Sequence, residues 1–512
     1  MNCLMECLMI PFDATCHESY LQDESCLRGE ASWIAFPSSP QEVADVLAWA
    51  RERKEPVTVR GGGTGITGSA VPMGGVLLCT SRLLREPSLS MNPKGDLLVT
   101  AGAAVTLEQL QEAIARRRFA HWEEEALERL QEGYFFAVDP TETTATLGGM
   151  YASNAGGLTA MAHGRMADYV EKIGMVLADG SYQEIARGQY RWGEPIPFLQ
   201  KTGTPVCCRD RKFSQLSPVS GEDLIDVLAG SEGMLGIVTQ LTVRLSPAPA
   251  GRWGLYIFCG SRQTACKLTE ELEAACKETA ATLETVEYFS RESLELLQSC
   301  RSRIPALSAL PELPQGAPFA LYCELTAASE EELEEGLMAV MECSDHFAVP
   351  EENIWAASES RELKLFHALR HAVPEAVNMK IAALKRDFHR ARKIAADFSF
   401  RGKKPEELLT LFQQVGEKYQ LEEIVFGHLA AGMPHINFIC EDQSQLDRAL
   451  SAVAFLAAAV DPGEGELFHE NGLGKTRSPL LEKIASPEQL QLMEQVKLAF
   501  DPERLLNPRN MK

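Results

Sequence analysis

Three clusters of glycine in the first half of the chain constrain its fold more than any other feature. They occupy residues 61–75, 148–157 and 230–236. Glycine allows a positive φ and lets the backbone approach a ligand or a neighbouring segment closely. Turn chemistry could explain one such cluster, but not three that are separated by ordinary helices and strands. The pattern indicates a surface of bare backbone suited to a phosphate or a flat ring.

The first cluster contains a literal G-x-G-x-x-G at Gly63, Gly65 and Gly68, directly after a strand predicted over 56–60. In a Rossmann fold the last glycine of this motif opens a helix that holds a pyrophosphate. Pro72 and the glycines that follow it would break such a helix within two turns. A loop of small residues with available N–H groups remains, and a glycine-rich turn without a ligand is the alternative.

The second cluster begins with a hydroxyl-rich run, Asp139 to Gly149, and continues to a further Gly-Gly pair at residues 156–157. Short donors beside bare backbone can hold a buried phosphate or ring. The third cluster leads into a strand predicted over 237–245.

Charge and composition limit the function classes. The chain has 512 residues, of which 45% are hydrophobic and 24% charged, and its formal net charge is −23. Such values predict several globular domains and argue against nucleic acid as a partner. A carboxylate substrate would need a locally basic pocket. No stretch approaches the roughly 20 apolar residues of a membrane span. The 14 cysteines, without an export signal, predict reduced thiols in the cytoplasm.

The second half of the chain differs in character after a Pro/Ala-rich boundary at residues 246–251. Predicted strands at 254–259 and 317–325 alternate with acidic helices such as 329–342. This alternation predicts an α+β domain, an antiparallel sheet with helices on one face.

Taken together, the three glycine clusters resemble the PCMH-type FAD-binding domain of the vanillyl-alcohol-oxidase family. The order of the motifs and the ending Phe500-Asp501-Pro502 to Leu506-Asn507-Pro508 are similar to the FAD-linked D-lactate dehydrogenase, glycolate oxidase and D-2-hydroxyglutarate dehydrogenase group. The resemblance implies an α+β fold with a PCMH-type FAD-binding domain of two α+β subdomains at 30–248. An α+β cap domain with an antiparallel sheet would follow at 251–455, and a C-terminal segment at 456–512 would return to the FAD domain.

The resemblance also implies that FAD is bound non-covalently, since the first loop holds no histidine for attachment. The pyrophosphate would lie on the first loop, the second cluster and the Ser-Glu-Gly segment would hold the flavin, and the C-terminal Asn-Pro region would close over it. The cofactor-binding residues carried over are Arg60, Gly61, Gly62, Gly63, Thr64, Gly65, Gly68, Pro140, Thr141, Thr146, Gly148, Gly149, Asn154, Gly156, Gly157, Glu232, Gly236, Ile237 and Asn507.

Residues 427–437 and 470–474 resemble the family's G-H-[hydrophobic]-G-D-G-N-L-H-x-N and E-H-G-x-G motifs. The resemblance implies His428, His435 and Glu470 as ligands of Zn²⁺ or another divalent metal. It further implies Arg370 and Asn437 as substrate-binding residues, with Arg370 binding a carboxylate. The alternative is a buried hairpin whose two histidines are satisfied by backbone partners.

Several substrate-side positions depart from the family pattern. The histidine taken as the general base aligns with Asn471, whose amide cannot hold a proton near neutral pH. His469, two positions earlier, is the candidate substitute, so the catalytic set becomes His469, Asn471 and Arg370. At four other positions this chain also differs from the family. Pro374 and Ala395 stand where the family has a substrate-binding threonine and lysine, and Ala431 and Met433 stand where its hairpin has Asp and Asn.

The resemblance implies an FAD-dependent dehydrogenase that converts a small 2-hydroxy acid, such as D-lactate or glycolate, to the 2-oxo acid. Electrons would pass from the flavin to a quinone, a cytochrome or an electron-transfer protein. The expected location is the cytoplasm, with peripheral contact at the inner membrane left open. Two alternatives stand beside this hypothesis: an FAD-binding subunit or pseudoenzyme partner without hydroxy-acid oxidation, and a family member with a divergent substrate.

Overall fold

The computed structural model describes residues 8–25, 27–202, 206–208, 213, 216–461, 464–468 and 471–511. The chain forms two compact units. Unit 1 comprises Met1–Gly157, Gly164–Ala248 and Phe468–Lys512, and unit 2 comprises Leu158–His163 and Pro249–Leu467. The C-terminal segment therefore returns to the unit that contains the glycine clusters. The domain limits 30–248, 251–455 and 456–512 stay predictions.

Unit 1 contains three sheets. A four-stranded sheet has the order β1-β2-β4-β3, a six-stranded sheet the order β10-β9-β11-β6-β5-β7, and β12 pairs with β8. The strands are β1 (Met9–Pro11), β2 (Trp33–Ala35), β3 (Val57–Arg60), β4 (Val76–Cys79), β5 (Ser88–Met91), β6 (Leu97–Gly102), β7 (His121–Trp122), β8 (Tyr134–Phe135), β9 (Val170–Val176), β10 (Tyr182–Ala186), β11 (Ile237–Arg244) and β12 (Ser246–Pro247).

The helices of unit 1 begin where their caps predict. The Pro40–Arg53 helix starts after Ser39, whose hydroxyl accepts from the Glu42 N–H. The Leu107–Arg116 helix starts with a complete capping box between Thr106 and Gln109. The remaining helices of the unit are Ala14–His17, Glu124–Leu130, Leu147–Ser153, Met166–Tyr169, Leu224–Leu228, Gly474–Ile484 and Pro487–Phe500.

Unit 2 is built on one antiparallel sheet of seven strands in the order β16-β13-β15-β14-β18-β19-β17. This confirms the prediction of an α+β cap domain with an antiparallel sheet. The strands are β13 (Gly251–Cys259), β14 (Thr282–Phe289), β15 (Phe319–Ala327), β16 (Ile354–Ala357), β17 (Arg392–Ala396), β18 (Glu423–His428) and β19 (Met433–Cys440).

Helices cover both faces of this sheet, so the prediction of helices on one face is wrong. Leu333 lies against Gly251 and Leu363 against Gly254, and residues three apart on a strand point to opposite faces. The face of Gly254 carries an aromatic core in which Tyr256, Phe289 and Tyr322 are buried. The helices of unit 2 are Ala160–His163, Arg262–Lys277, Arg291–Cys300, Pro305–Ser308, Glu330–His346, Ser360–Leu384, Pro405–Tyr419 and Gln443–Ala458.

Two absences hold for the part of the chain that the structure describes. The cysteines described there form no disulfide. Among the helices described, none is long and apolar enough to cross a bilayer.

Candidate functional site

The first glycine loop follows β3 in unit 1 and packs against the second glycine cluster. A Cβ at Gly61 would lie 2.7 Å from the Thr146 hydroxyl oxygen, and one at Gly62 would lie 3.1 Å from the Thr144 carbonyl oxygen. Gly63 has a φ of +73°. Larger residues would therefore separate the two clusters, so the structure explains why glycine occupies these positions.

The loop presents backbone donors. Among the described residues, none accepts a hydrogen bond from the N–H groups of residues 62–66. Consecutive N–H groups without an internal acceptor form an anion-binding concavity. Because a pyrophosphate supplies the acceptors that such a loop lacks, these residues fit the phosphates of FAD.

The second cluster is organised by a short helix, Leu147–Ser153. Thr146 caps it by accepting from the Gly149 N–H, and Asn154 ends it with a left-handed φ while its Oδ1 accepts from the Ala167 N–H. A Cβ at Gly148 would lie 2.8 Å from the Ala103 side chain. The glycines here bring one backbone segment close to another, and their predicted contact with the flavin stays a prediction.

Glu232 and Asn507 link the C-terminal segment to the glycine loops. The Asn507 side chain accepts from the Val59 N–H at 2.7 Å and donates to the Glu232 carbonyl. The Glu232 carboxylate, which is buried, accepts from the Gly474 N–H at 2.9 Å. Both side chains thus hold protein backbone, and their predicted contact with the cofactor stays a prediction.

A buried lysine that the sequence analysis did not select completes this cluster. Lys475 donates to the Ser69 carbonyl at 3.0 Å and to Asn510 Oδ1 at 2.6 Å. Burial raises the pKa of Glu232 to about 7, although the Gly474 N–H and the Lys475 charge oppose that shift. Burial lowers the pKa of Lys475 to about 8 against the charge of Glu232.

The other predicted FAD residues surround these clusters. Arg60 donates to the Gln22 carbonyl at 2.8 Å, and its guanidinium lies where a Cβ of Gly63 would be. A Cβ at Gly157 would lie 2.4 Å from the Asp139 carbonyl oxygen. The cofactor roles of five further residues stay predictions: Pro140 and Thr141 precede the Leu147–Ser153 helix, Gly156 precedes Gly157, and Gly236 leads into Ile237 at the start of β11.

In unit 2, one buried carboxylate joins two of the predicted site residues. Glu287 on β14 lies with Oε2 2.8 Å from Arg370 Nε and with Oε1 2.5 Å from His428 Nδ1. Burial alone would raise the pKa of Glu287, but the charges of His428 and Arg370 outweigh it and hold this pKa well below its usual range. The predicted substrate arginine and the predicted metal-binding histidine therefore share a partner.

The second predicted histidine is held in the same way. His435 Nδ1 lies 2.9 Å from Asp397 Oδ1, and the His428 and His435 ring centroids are 5.6 Å apart. Gly427, with a φ of +100°, leaves room for the His435 ring, because a Cβ there would lie 2.6 Å from Cδ2. The two Nδ1 atoms face carboxylates, so the alternative of histidines satisfied by backbone partners is wrong for these atoms.

This arrangement suits metal coordination in part. Histidines that ligate a metal through Nε2 commonly donate Nδ1–H to a carboxylate, which fixes the tautomer. Within the described residues, no group of three or more His, Cys, Asp or Glu side chains could hold a metal ion. Glu470, the third predicted ligand, and His469 lie outside the described residues. The two histidines fit a metal, and the three-ligand site stays a prediction.

Asn437 has a donor without a partner. It is 3% exposed on β19, and its Nδ2 has no hydrogen-bond acceptor among the described residues. The pairing of Glu287 with His428 and of Phe426 with His435 places these side chains and Asn437 on one face of the sheet. Buried amides are normally satisfied, so this donor calls for an explanation.

Two more buried carboxylates on this sheet were not selected from the sequence. Glu324 on β15 contacts Arg252 and His367, and the Glu284 carboxylate lies 2.6 Å from His163 Nε2. A glutamate within a mostly apolar strand could have indicated these two residues from the sequence, because a buried charge must have a partner. The His367 imidazole thus has Glu324 as its partner.

Asn471, which aligns with the family's base, lies in unit 1. Its φ is +64°, and its carbonyl accepts from the Thr67 hydroxyl at 3.1 Å. The segment after position 470 is thus fastened to the first glycine loop.

Comparisons with known proteins agree with these features. Residues 31–186 match the model of an FAD binding domain, and residues 249–511, more than half of the chain, match that of the C-terminal domain of FAD-linked oxidases. The chain therefore belongs to the FAD-linked oxidase family and is an FAD-binding oxidoreductase, as its motifs predict.

Relatives with assigned activities cover most of the chain. It is 28% identical to a D-lactate dehydrogenase of Archaeoglobus fulgidus, over 93% of this chain and 90% of that protein. It is 24% identical to the glycolate oxidase subunit GlcD of Bacillus subtilis, over 93% and 88%. It is 25% identical to the mitochondrial D-2-hydroxyglutarate dehydrogenase of Bos taurus, over 95% and 77%.

A solved structure of alkyldihydroxyacetonephosphate synthase shares the fold, with a TM-score of 0.63 and 13% identity over 99% of this chain and 82% of that one. This likeness confirms the predicted fold class and carries no argument about activity.

Proposed function

We propose that this protein is an FAD-dependent dehydrogenase that oxidises a small 2-hydroxy acid of the D-lactate or glycolate kind to the 2-oxo acid. The electrons pass to a quinone, a cytochrome or an electron-transfer protein, in the cytoplasm or at the inner membrane surface. The activities of the relatives support this proposal. The observation that carries it is a buried guanidinium, Arg370 on the Ser360–Leu384 helix, bonded to Glu287 on the sheet face that also holds Asn437, a buried amide donor without an acceptor among the described residues.

Each of these groups suits part of a hydroxy acid. The Arg370 guanidinium offers paired N–H groups to a carboxylate. It thereby supplies the local positive charge that a carboxylate-binding pocket needs in a chain with a net negative charge. The Asn437 amide can donate to a carboxylate or hydroxyl oxygen and thereby satisfy its buried N–H. Bound FAD supplies the hydride acceptor for the reaction.

The hydroxyl proton needs an acceptor when hydride leaves. His428 and His435, with Nδ1 held by Glu287 and Asp397, can direct Nε2 toward a divalent metal or toward the substrate hydroxyl. A metal there would lower the pKa of a coordinated hydroxyl. His469 belongs to the same proposal. It would accept the hydroxyl proton in place of the family's histidine, whose position Asn471 occupies.

Anaerobic flavin bleaching tests the proposal. The purified yellow protein is mixed with a panel of D- and L-2-hydroxy acids, and the flavin absorbance is followed without oxygen. We expect one member of the panel to bleach the flavin rapidly and to yield the corresponding 2-oxo acid. A protein that dithionite reduces but that no hydroxy acid bleaches would contradict the proposal.

A second candidate is an FAD-binding partner subunit that does not oxidise hydroxy acids. Asn471 in place of the base, and Pro374 and Ala395 in place of a substrate threonine and lysine, favour it. Metal analysis separates the two candidates, because FAD without a stoichiometric divalent metal would favour the partner subunit. A divergent substrate is a variant of the first proposal, and a wider panel of hydroxy acids tests it.

A further inference from the structure

We propose that Glu287 is a positioning residue, whose single carboxylate orients the Arg370 guanidinium and fixes the tautomer of His428. The catalytic meaning of this role rests on the proposed function, whereas the tautomer itself does not. The sequence motifs do not include Glu287.

The geometry places Glu287 between the two groups. It lies near the end of β14 and is 0% exposed, and each of its carboxylate oxygens has its own partner. Oε2 accepts from Arg370 Nε at 2.8 Å, and Oε1 lies 2.5 Å from His428 Nδ1. The direct pairing of Glu287 with His428 in the β14–β18 ladder sets this second contact.

An ionised carboxylate only accepts hydrogen bonds, so both of its partners must donate. His428 is therefore held with a proton on Nδ1, so that Nε2 carries the lone pair whenever the imidazole is neutral. An anchor at Nε likewise orients the Nη1–Nη2 end of the arginine, which is suited to grip a carboxylate. The Glu287 side chain thus orients both the His428 imidazole and the Arg370 guanidinium.

Substitution by glutamine distinguishes this role from simple space filling. A glutamine amide has one acceptor atom and one donor atom, so it cannot accept from both partners at once. In Glu287→Gln the amide either loses Arg370 or donates to His428 Nδ1 and moves the imidazole proton to Nε2. Glu287→Asp keeps two acceptor atoms on a shorter arm and is the conservative variant.

Glu324 provides a matched control on the neighbouring strand. It is also 0% exposed, it also pairs with an arginine and a histidine, and its side chain lies on the same face as that of Glu287. Its partners, Arg252 and His367, belong to no predicted site. Glu324→Gln therefore measures the general cost of removing a buried, paired carboxylate from this sheet.

The test uses the FAD-bound protein with ¹⁵N-labelled histidine. Nitrogen chemical shifts report which ring nitrogen carries the proton, and a His428→Asn variant identifies the His428 signal. We expect His428 to be protonated on Nδ1 in the wild type and in Glu287→Asp, and to lose that proton in Glu287→Gln if the amide nitrogen faces the imidazole. A wild-type His428 without a proton on Nδ1, or a Glu287→Gln protein in which both the tautomer and the affinity for a carboxylate are unchanged, would overturn the proposal. Even if Glu287→Gln does not fold, the wild-type spectrum alone tests whether His428 is protonated on Nδ1.

A second measurement addresses the arginine. Oxamate, a monocarboxylate that is not oxidised, is titrated into each variant while the flavin absorbance is followed. We expect its affinity to fall about 10–100-fold in Glu287→Gln and to change less than about two-fold in Glu324→Gln, since Glu324 pairs with Arg252 and His367. Equal losses in both variants would refute the positioning role. Failure of the proposed function gives a different result: no hydroxy acid bleaches the wild-type flavin, while the wild-type His428 is still protonated on Nδ1.

Discussion

The unpartnered amide of Asn437 leads to a prediction in which stability and binding change in opposite directions. A buried donor without an acceptor costs about 1–3 kcal/mol relative to a satisfied one. Asn437 is 3% exposed and its Nδ2 has no acceptor among the described residues, so it carries this cost. Replacing it by leucine, whose side chain has the same branching of heavy atoms, removes the unsatisfied donor and with it this cost.

We therefore expect Asn437→Leu to raise the free energy of unfolding of unit 2 by about 1–3 kcal/mol. For a unit of this size, each kcal/mol corresponds to about 2–4 °C in Tm. If the amide donates to the substrate, the same substitution weakens oxamate binding by about 1–3 kcal/mol, which is roughly 5–150-fold. The assays are thermal unfolding followed by circular dichroism and oxamate titration followed by flavin absorbance.

Asn507 is the matched control, because it is equally buried but fully bonded. Its amide joins the Val59 N–H to the Glu232 carbonyl. Asn507→Leu leaves both backbone groups unpaired and should destabilise unit 1 by about 2–5 kcal/mol. If Asn437→Leu destabilised the protein to a similar extent, the Asn437 amide would have a structural partner in solution. The argument that this donor is kept for a ligand would then be refuted.

Two further predictions concern charged groups. Arg370→Ala should raise KM for a carboxylate substrate and lower kcat/KM at least 30-fold, which corresponds to a loss of about 2–5 kcal/mol of binding free energy. Steady-state kinetics with the acid that bleaches the flavin would check this. Unchanged kinetic constants would show that Arg370 does not bind the substrate. For Glu232, burial raises the pKa in the folded protein from 4.5 to about 7. The resulting cost is absent below pH 4.5, grows as the pH rises and is complete above 7, where it amounts to about 3 kcal/mol. Glu232→Gln should thus match the wild type in urea unfolding near pH 4 and become more stable than it by pH 8, and a difference that does not change with pH would contradict this.

The sequence was informative wherever a local pattern has one physical explanation. Ser39 and Thr106 predicted helix starts because their hydroxyls satisfy N–H groups within the next turn. Pro72 and the glycines after it excluded a helix behind the first glycine loop, and none is formed there. The family motifs indicated FAD and a histidine hairpin, and both the family match and the position of His428 and His435 on adjacent strands agree with this.

The sequence was uninformative about partners that are distant along the chain. Arg370 could be selected by its resemblance to a carboxylate-binding arginine, but its bond to Glu287 spans 83 positions. The contact between Glu232 and Gly474 spans 242 positions. No local periodicity encodes such pairs, because they depend on which strands become neighbours.

What the sequence alone determined is the class of the protein, its cofactor and the residue types that could perform its chemistry. These properties follow from glycine, cap and histidine patterns whose meaning is local or shared with a family. Only the tertiary structure decided how those residues are held: which carboxylate faces each histidine, which buried lysine lies beside Glu232, and which amide lacks an acceptor. The physical reason is that hydrogen bonding and burial of a side chain depend on groups brought together by sheet order and helix packing.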